Sequence, residues 1–145
     1  MKMILLIGFS RGLGRALFAQ LLKKLQPGEL ELIALGRNNE NLPKYDGVIY
    51  KTADLSKDDC WDSLLEFIPD NIDDLEIFLN ASVVEPINRV GTLDSYLLDQ
   101  AVQVNYLSPM KLINQMVYLQ QKSNFTINVF NISSGAATRA IDGWS

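Results

Sequence analysis

Gly8-Phe9-Ser10-Arg11-Gly12-Leu13-Gly14 connects an apolar segment to a helical pattern through three glycines. The run Met3 to Ile7 before it is wholly apolar, which is typical of a central parallel strand buried on both faces. After the loop, leucines recur at every fourth position from Leu13 to Leu25, until Gln26-Pro27-Gly28 ends the pattern. The segment is therefore interpreted as a strand, a glycine loop and a helix.

The rest of the chain alternates in the same way. A capping box at Ser56 and an apolar face up to Ile68 predict a short helix, and a long helix is predicted from Thr92 to about Gln121. Alternating strands and helices favour parallel strands joined by right-handed crossovers, hence an open α/β sheet. The further predicted strands are Leu30 to Leu35, Val48 to Tyr50, Leu75 to Leu79 and Phe125 to Ile132.

Composition and charge narrow the function classes. The 145 residues suffice for one domain, and 48% hydrophobic against 21% charged residues excludes a disordered chain. Seventeen acidic and thirteen basic residues give a net charge of −4, which argues against a broad cationic surface. We expect no nucleic-acid partner and no membrane partner, since no run of about eighteen apolar residues is present.

The chain has no histidine and one cysteine, Cys60. The lack of histidine excludes a Ser/His/Asp or Cys/His nucleophile and any His-ligated metal site within these residues. A lone cysteine forms no internal disulfide or Cys-rich zinc site, which fits a reducing, cytoplasmic location. We predict no metal, and chemistry that depends on Ser, Tyr, Lys, Asn or carboxylate groups.

The glycine loop is a candidate phosphate site. Glycines let a backbone approach a diphosphate closely, and the N–H groups at a helix start favour negative charge. A P-loop is excluded, because no Gly-Lys-Ser or Gly-Lys-Thr follows the glycines. A tight turn without a ligand is the alternative interpretation of Gly8 to Gly14.

The end of the second predicted strand indicates which dinucleotide is bound. A carboxylate there binds the ribose 2′-hydroxyl of NAD, whereas a cation binds the 2′-phosphate of NADP. Here Gly36-Arg37 follows the strand, and no Asp or Glu lies between Arg37 and Glu40. We predict NADP(H), bound by Arg37 with Arg11 as a second guanidinium. The alternative is that both arginines are merely solvated.

Five features in this order make the chain resemble the short-chain dehydrogenase/reductase family over its whole length. They are the loop glycines Gly8, Gly12 and Gly14, then Asp54-Leu55, Asn80-Ala81-Ser82, Asn105 and Ser133-Ser134. The resemblance implies a three-layer Rossmann-type doubly wound sheet, truncated after its fifth strand. It implies that residues 1–145 are the amino-terminal portion of a longer NADP-binding reductase domain.

The resemblance also implies residue roles. Cofactor-binding positions would be Gly8, Ser10, Arg11, Gly12, Leu13, Gly14, Arg37, Asp54, Leu55, Asn80, Ala81 and Ser82. Asp54 would contact the adenine. Asn80-Ala81-Ser82 departs from the family's Asn-Asn-Ala-Gly motif, with Leu79 for the first Asn and Ser82 for the Gly.

Asn105 and Ser134 fall where the family keeps its catalytic Asn and Ser. Asn105 shares a predicted helical stripe with Leu98, Ala101, Val102, Pro109 and Leu112, so it should point into the protein, and a structural core Asn is the alternative. Ser133 and Ser134 follow the fifth predicted strand, at the edge where open α/β sheets bind ligands. A loop Ser without a role is the alternative.

The family's catalytic Tyr and the Lys four residues after it are expected about a dozen positions beyond Ser134, where the sequence has ended. Tyr118 and Lys122 have the right spacing but precede Ser134 and lie at the end of the long helix. We therefore predict that this pair is not catalytic. Gly143-Trp144 resembles a pair in the sepiapterin reductase and benzil reductase branch.

We predict an NADPH-dependent reductase that transfers hydride to a small-molecule carbonyl substrate such as a ketone, diketone or pterin. These residues alone would be close to inactive, since they lack the Tyr and Lys. The alternative is a non-catalytic NADP-binding or sensing module. A homo-oligomer is expected.

Overall fold

The computed structural model describes residues 1–61, 64–69, 71–83, 86–139 and 141. It contains five strands and three α-helices in that part of the chain, and all five predicted strands are present. They are β1 (Lys2–Ile7), α1 (Gly12–Leu22), β2 (Leu30–Gly36), β3 (Val48–Thr52), β4 (Asp74–Leu79), α2 (Ser95–Val102), α3 (Ser108–Lys122) and β5 (Thr126–Asn131).

The strands form one parallel sheet in the order β3-β2-β1-β4-β5. Leu5 in β1 is in register with Ile33 of β2 on one side and with Ile77 of β4 on the other. The chain first builds outward from β1 to β3 and then returns to the opposite side of β1. This reversal opens a crevice between the carboxyl ends of β1 and β4.

Each face of the sheet has its own core. On one face, Leu5 and Ile77 pack with Leu112 and Met116 of α3. On the other face, Leu6 and Leu32 pack with Leu21 of α1. The sheet therefore lies between helices, and the predicted three-layer Rossmann-type fold is confirmed.

The short helix predicted after β3 is wrong within the described residues. Asp54 Oδ1 accepts hydrogen bonds from the Ser56 backbone N–H at 3.0 Å and the Ser56 hydroxyl at 2.8 Å. Because the Ser56 hydroxyl donates to the preceding Asp54, it caps no helix. Turns follow as far as Trp61, and the next described element is a single 3₁₀ turn at Leu65–Phe67. Residues 62 and 63 of the predicted helix lie outside the described residues.

The long predicted helix starts later and is interrupted. Asp94 caps α2, with its Oδ1 accepting from Leu97 N–H at 3.0 Å, and a π-helical segment at Gln103–Leu107 separates α2 from α3. The buried stripe consists of Val104, Ser108, Leu112 and Met116. None of the described helices is long and apolar enough to cross a membrane.

β5 leaves apolar side chains exposed at one side of the sheet. Val129, Phe130 and Ile132 are 39%, 45% and 40% exposed. Phe130 stacks on Phe78 of β4 with ring centroids 4.7 Å apart. β5 pairs with β4 on one side, and no described strand pairs with its other side. Free N–H and C=O groups beside apolar side chains favour contact with another chain.

We predict that the 145-residue chain self-associates through this edge. Phe130→Lys should raise the dissociation constant of the associated form about tenfold, because a buried aromatic contact is replaced by a charge. Light scattering over a concentration series measures this, with a thermal melt to confirm folding.

Val90→Lys is the matched control, since Val90 is 84% exposed in a loop outside the sheet. A monodisperse monomer at every concentration, or an equal effect of both substitutions, would contradict the prediction.

Candidate functional site

The crevice beside β1 contains a cavity of about 380 Å³. Its lining comes from the carboxyl ends of β1, β2, β3 and β4 and from the helical segment that begins with α2. The lining residues are Ile7, Gly8, Ser10, Arg11, Gly12, Leu35, Gly36, Arg37, Ala53, Asp54, Leu55, Ser56, Asn80, Ala81, Ser82, Val83, Gln100 and Val104.

The glycine loop forms the floor of this cavity, and at Gly8 and Gly14 the neighbouring backbone leaves no room for a side chain. Gly8 has φ +79°, and a Cβ atom there would lie 2.2 Å from the Asn80 carbonyl oxygen. A Cβ on Gly14 would lie 1.9 Å from the Gly8 carbonyl oxygen. The Asn80 side-chain amide donates to that same oxygen at 3.0 Å. The loop, α1 and β4 are thus held in backbone contact.

The first turn of α1 is suited to an anion. Arg11 occupies the N-cap position without a side-chain capping bond, and the first turn contains no acidic residue. Backbone N–H groups at such a helix start, together with the helix dipole, favour phosphate. The residues present therefore fit the diphosphate of a dinucleotide.

Arg11 and Arg37 both line the cavity and are exposed, as is Asp54. The hydrogen bond from the Ser56 hydroxyl is the main cause that lowers the pKa of Asp54, and the positive charge of Arg37 lowers it further. Asp54 is therefore a carboxylate at neutral pH and a hydrogen-bond acceptor at the rim. The rim offers two guanidinium groups and one carboxylate to a ligand.

A second cavity of about 330 Å³ adjoins the first. The two share Ile7, Leu55 and the segment 80–82. The polar groups specific to the second are Asn105, Asn131, Ser133 and Ser134. A ligand that spans both cavities would pass across the end of β4.

Asn105 fastens the segment after β4 to the π-helical segment. Its Oδ1 accepts from Val83 N–H at 2.9 Å, and its Nδ2 donates to the Val83 carbonyl at 2.9 Å. The prediction that Asn105 points into the core is wrong, since the residue is exposed. Leu98 and Val102, on the same predicted stripe, are also exposed, whereas Leu112 is buried, and the π segment between α2 and α3 interrupts the periodicity that the stripe assumed.

Ser134 follows β5 and begins a 3₁₀ turn at Gly135–Ala137. Its Oγ accepts from Ala136 N–H at 3.3 Å, while the residue stays exposed in the second cavity. Accepting this bond uses a lone pair and leaves the hydroxyl hydrogen available to a substrate oxygen.

Most of the residues predicted to bind cofactor line the first cavity. Leu13 and Gly14 do not, since Leu13 is 59% exposed and Gly14 packs under the loop. Sequence reasoning did not assign cavity roles to Ser56, Val83, Gln100 and Val104. The spacing of Gln100 and Val104, one turn apart, was the available signal for those two.

Tyr118 and Lys122 contact each other, with Lys122 Nζ 4.1 Å from the centroid of the Tyr118 ring. They lie in the last turns of α3, which leads into the start of β5. Ser134 lies beyond the other end of β5, so the structure does not bring this pair to the second cavity. Gly143-Trp144 lies outside the described residues.

A family model described as short chain dehydrogenase matches residues 2–145. The chain belongs to the short-chain dehydrogenase family. Yeast (Saccharomyces cerevisiae) benzil reductase ((S)-benzoin forming) is 28% identical over 157 residues, covering 99% of this chain and 58% of the yeast protein. The Bacillus subtilis benzil reductase is 28% identical and covers the whole chain and 60% of its own length.

The fold is shared with solved members of the family. A crystal structure of a short-chain dehydrogenase/reductase from Burkholderia vietnamiensis has a TM-score of 0.81 and 28% identity, over 99% of this chain and 70% of its own. The chain thus spans about three fifths of the length of the curated relatives above.

We predict that Gly8→Ala prevents dinucleotide binding and lowers the melting temperature. The added methyl group would collide with the backbone of Asn80, which cannot yield without moving β4. Calorimetric titration and a thermal melt measure the two effects.

Gly28→Ala is the matched control, because Gly28 has φ +82° but nothing within 4 Å of the added atom. It should cost about 1–2 kcal/mol of stability for the left-handed backbone and leave binding intact. Equal melting temperatures for the two variants would show that the close approach is unimportant.

Proposed function

We propose that the chain forms the cofactor-binding portion of an NADPH-dependent carbonyl reductase. The observation that supports this most strongly is the pair of adjoining cavities at the carboxyl ends of the strands. One is floored by glycine backbone and rimmed by arginines, and the other contains Ser134 and Asn105. Family membership and the benzil reductase relatives support the reaction class.

In this proposal the first cavity holds NADP(H), which supplies a hydride to the substrate when bound. The backbone N–H groups at the start of α1 bind the diphosphate, and Arg37 binds the 2′-phosphate with Arg11 beside it. Asp54 and Leu55 border the adenine. The bound cofactor would pass along the segment Asn80-Ala81-Ser82, which lines both cavities, from the first into the second.

The second cavity would hold the carbonyl group. The Ser134 hydroxyl is available to donate to the carbonyl oxygen, which stabilises the negative charge that develops there. Asn105 acts by holding Val83 and hence the cavity wall. A diketone is the substrate class that the benzil reductase relatives favour.

The proton donor for the reduced oxygen would come from a Tyr and Lys beyond Ser145. No Tyr follows Tyr118 in the sequence. We therefore propose that residues 1–145 bind cofactor without appreciable turnover. We also propose a homo-oligomer and, because Cys60 is the only cysteine, a reducing cytoplasmic setting.

A non-catalytic NADP-binding module is the second candidate. Residues 1–145 contain the proposed cofactor site but no Tyr after Tyr118, so these residues by themselves would bind NADP(H) without an acid for the reaction. The codons that follow Ser145 distinguish the two, because a Tyr-x-x-x-Lys there supports the reductase and a stop codon the module.

We predict that the chain binds NADPH more tightly than NADH. Arg37→Ala should weaken NADPH binding about tenfold or more and leave NADH binding unchanged, because a charge-assisted contact to the 2′-phosphate is lost. Calorimetric titration with both cofactors measures this. Arg15→Ala is the control, since Arg15 lies on α1 outside both cavity linings. Equal affinities for the two cofactors would overturn the prediction.

We predict no measurable reduction of benzil by the 145-residue chain with NADPH, and turnover once the chain extends through a following Tyr-x-x-x-Lys. Substrate-dependent NADPH oxidation measures this. In the extended protein, Tyr118→Phe should leave the rate nearly unchanged, because Tyr118 lies at the end of α3 away from Ser134. A large loss in that variant would assign the catalytic role to Tyr118 instead.

A further inference from the structure

One polar side chain enters the first cavity from α2. Gln100 and Val104 are the two residues of the segment 95–107 that line this cavity. The Gln100 amide forms no hydrogen bond to any residue that the structure describes. Its carbonyl and NH₂ groups therefore both remain available to a ligand.

Gln103 provides a contrast only three residues later. Its Nε2 donates to Asp58 Oδ1 at 3.3 Å, and Lys111 Nζ donates to the same oxygen at 2.6 Å. Gln103 lines neither cavity. Of these two glutamines, Gln100 lines the cavity and Gln103 binds a neighbouring carboxylate.

The cavity that Gln100 lines has apolar walls as well as a polar rim. Ala53, Leu55 and Val104 are 8%, 6% and 7% exposed, so their side chains present little but hydrocarbon. Asp54 stands next to these walls on the segment after β3. Apolar walls with an acceptor and an amide at the edge match a flat heteroaromatic ring that has donors and acceptors on its edge.

We propose that Gln100 is a specificity-determining residue that recognises the adenine base of the cofactor. This inference rests on the proposed function. A glutamine amide complements adenine, because its carbonyl accepts from the exocyclic N6 amine while its NH₂ group donates to N7. The N6 amine has two hydrogens, so the Asp54 carboxylate can accept the other.

A base with an oxygen at position 6 breaks this match. Hypoxanthine presents O6 and N7, which are both acceptors, so the Gln100 carbonyl loses its donor. The Asp54 carboxylate would then face the acceptor O6 instead of the N6 donor and would lose that hydrogen bond. Gln100 and Asp54 together would therefore reject 6-oxopurine dinucleotides.

The test is calorimetric titration of the unaltered chain, Gln100→Leu and Gln103→Leu with NADPH and with its hypoxanthine analogue. Gln100→Leu should weaken NADPH binding about three- to tenfold, the range for one or two hydrogen bonds, and should weaken binding of the analogue less, because only the NH₂ donation to N7 is lost there. Gln103→Leu should change neither. Gln100→Glu, which removes the NH₂ donor and adds a second negative charge to a lining that already contains Asp54, should weaken NADPH binding at least as much.

Two outcomes overturn the inference alone. One is NADPH binding unchanged in both Gln100 variants, and the other is an equal loss for NADPH and its hypoxanthine analogue in Gln100→Leu, which would make Gln100 only part of the wall. Failure of the unaltered chain to bind either dinucleotide would instead overturn the proposed function, and this inference with it.

Discussion

The structure depends on one close approach between backbones. Gly8, Gly14 and Asn80 meet at distances that exclude a Cβ atom at either glycine. The contact joins β1 to the start of α1 and to the end of β4, and the hydrogen bond from Asn80 Nδ2 to the Gly8 carbonyl fixes it. Because these three elements border the crevice, the same contact shapes the floor of the first cavity. Folding and ligand binding therefore rely on the same few atoms.

The sequence predicted the sheet well, because continuous apolar runs and glycine turns are local signals that tertiary contacts reinforce. The prediction was wrong after β3, where the Ser56 hydroxyl donates to Asp54 instead of capping a helix. It also failed around Asn105, where the π segment shifts the periodicity that places a side chain inside or outside. A π-helical turn contains about one residue more than an α-helical turn, and no residue pattern in this segment indicates it. The predicted glycine loop and arginines line one cavity, whereas Gln100 was not predicted there, since its one-turn spacing from Val104 does not show which side of the helix faces the cavity.

The two cavities differ in how firmly their walls are built. The first lies between strands of the sheet centre, and its glycine floor and the hydrogen-bonded Asp54 are fixed by neighbours. The second is closed on one side by residues that follow β5, the edge strand whose apolar side chains are exposed. In the proposed function, most of the residues that would recognise the cofactor therefore lie in the first two thirds of the chain. The groups suited to a carbonyl come from the helical segment after β4 and from the end of β5.

The paired hydrogen bonds between Asn105 and Val83 have a mechanical consequence. Val83 lines the first cavity and Asn105 lines the second, so the two hydrogen bonds connect the linings of the two cavities directly. A displacement of Val83 must therefore either move Asn105 as well or break both hydrogen bonds. If a ligand in one cavity displaces this connection, it changes the binding free energy of a ligand in the other cavity. By thermodynamic reciprocity, the second ligand changes the binding free energy of the first by the same amount.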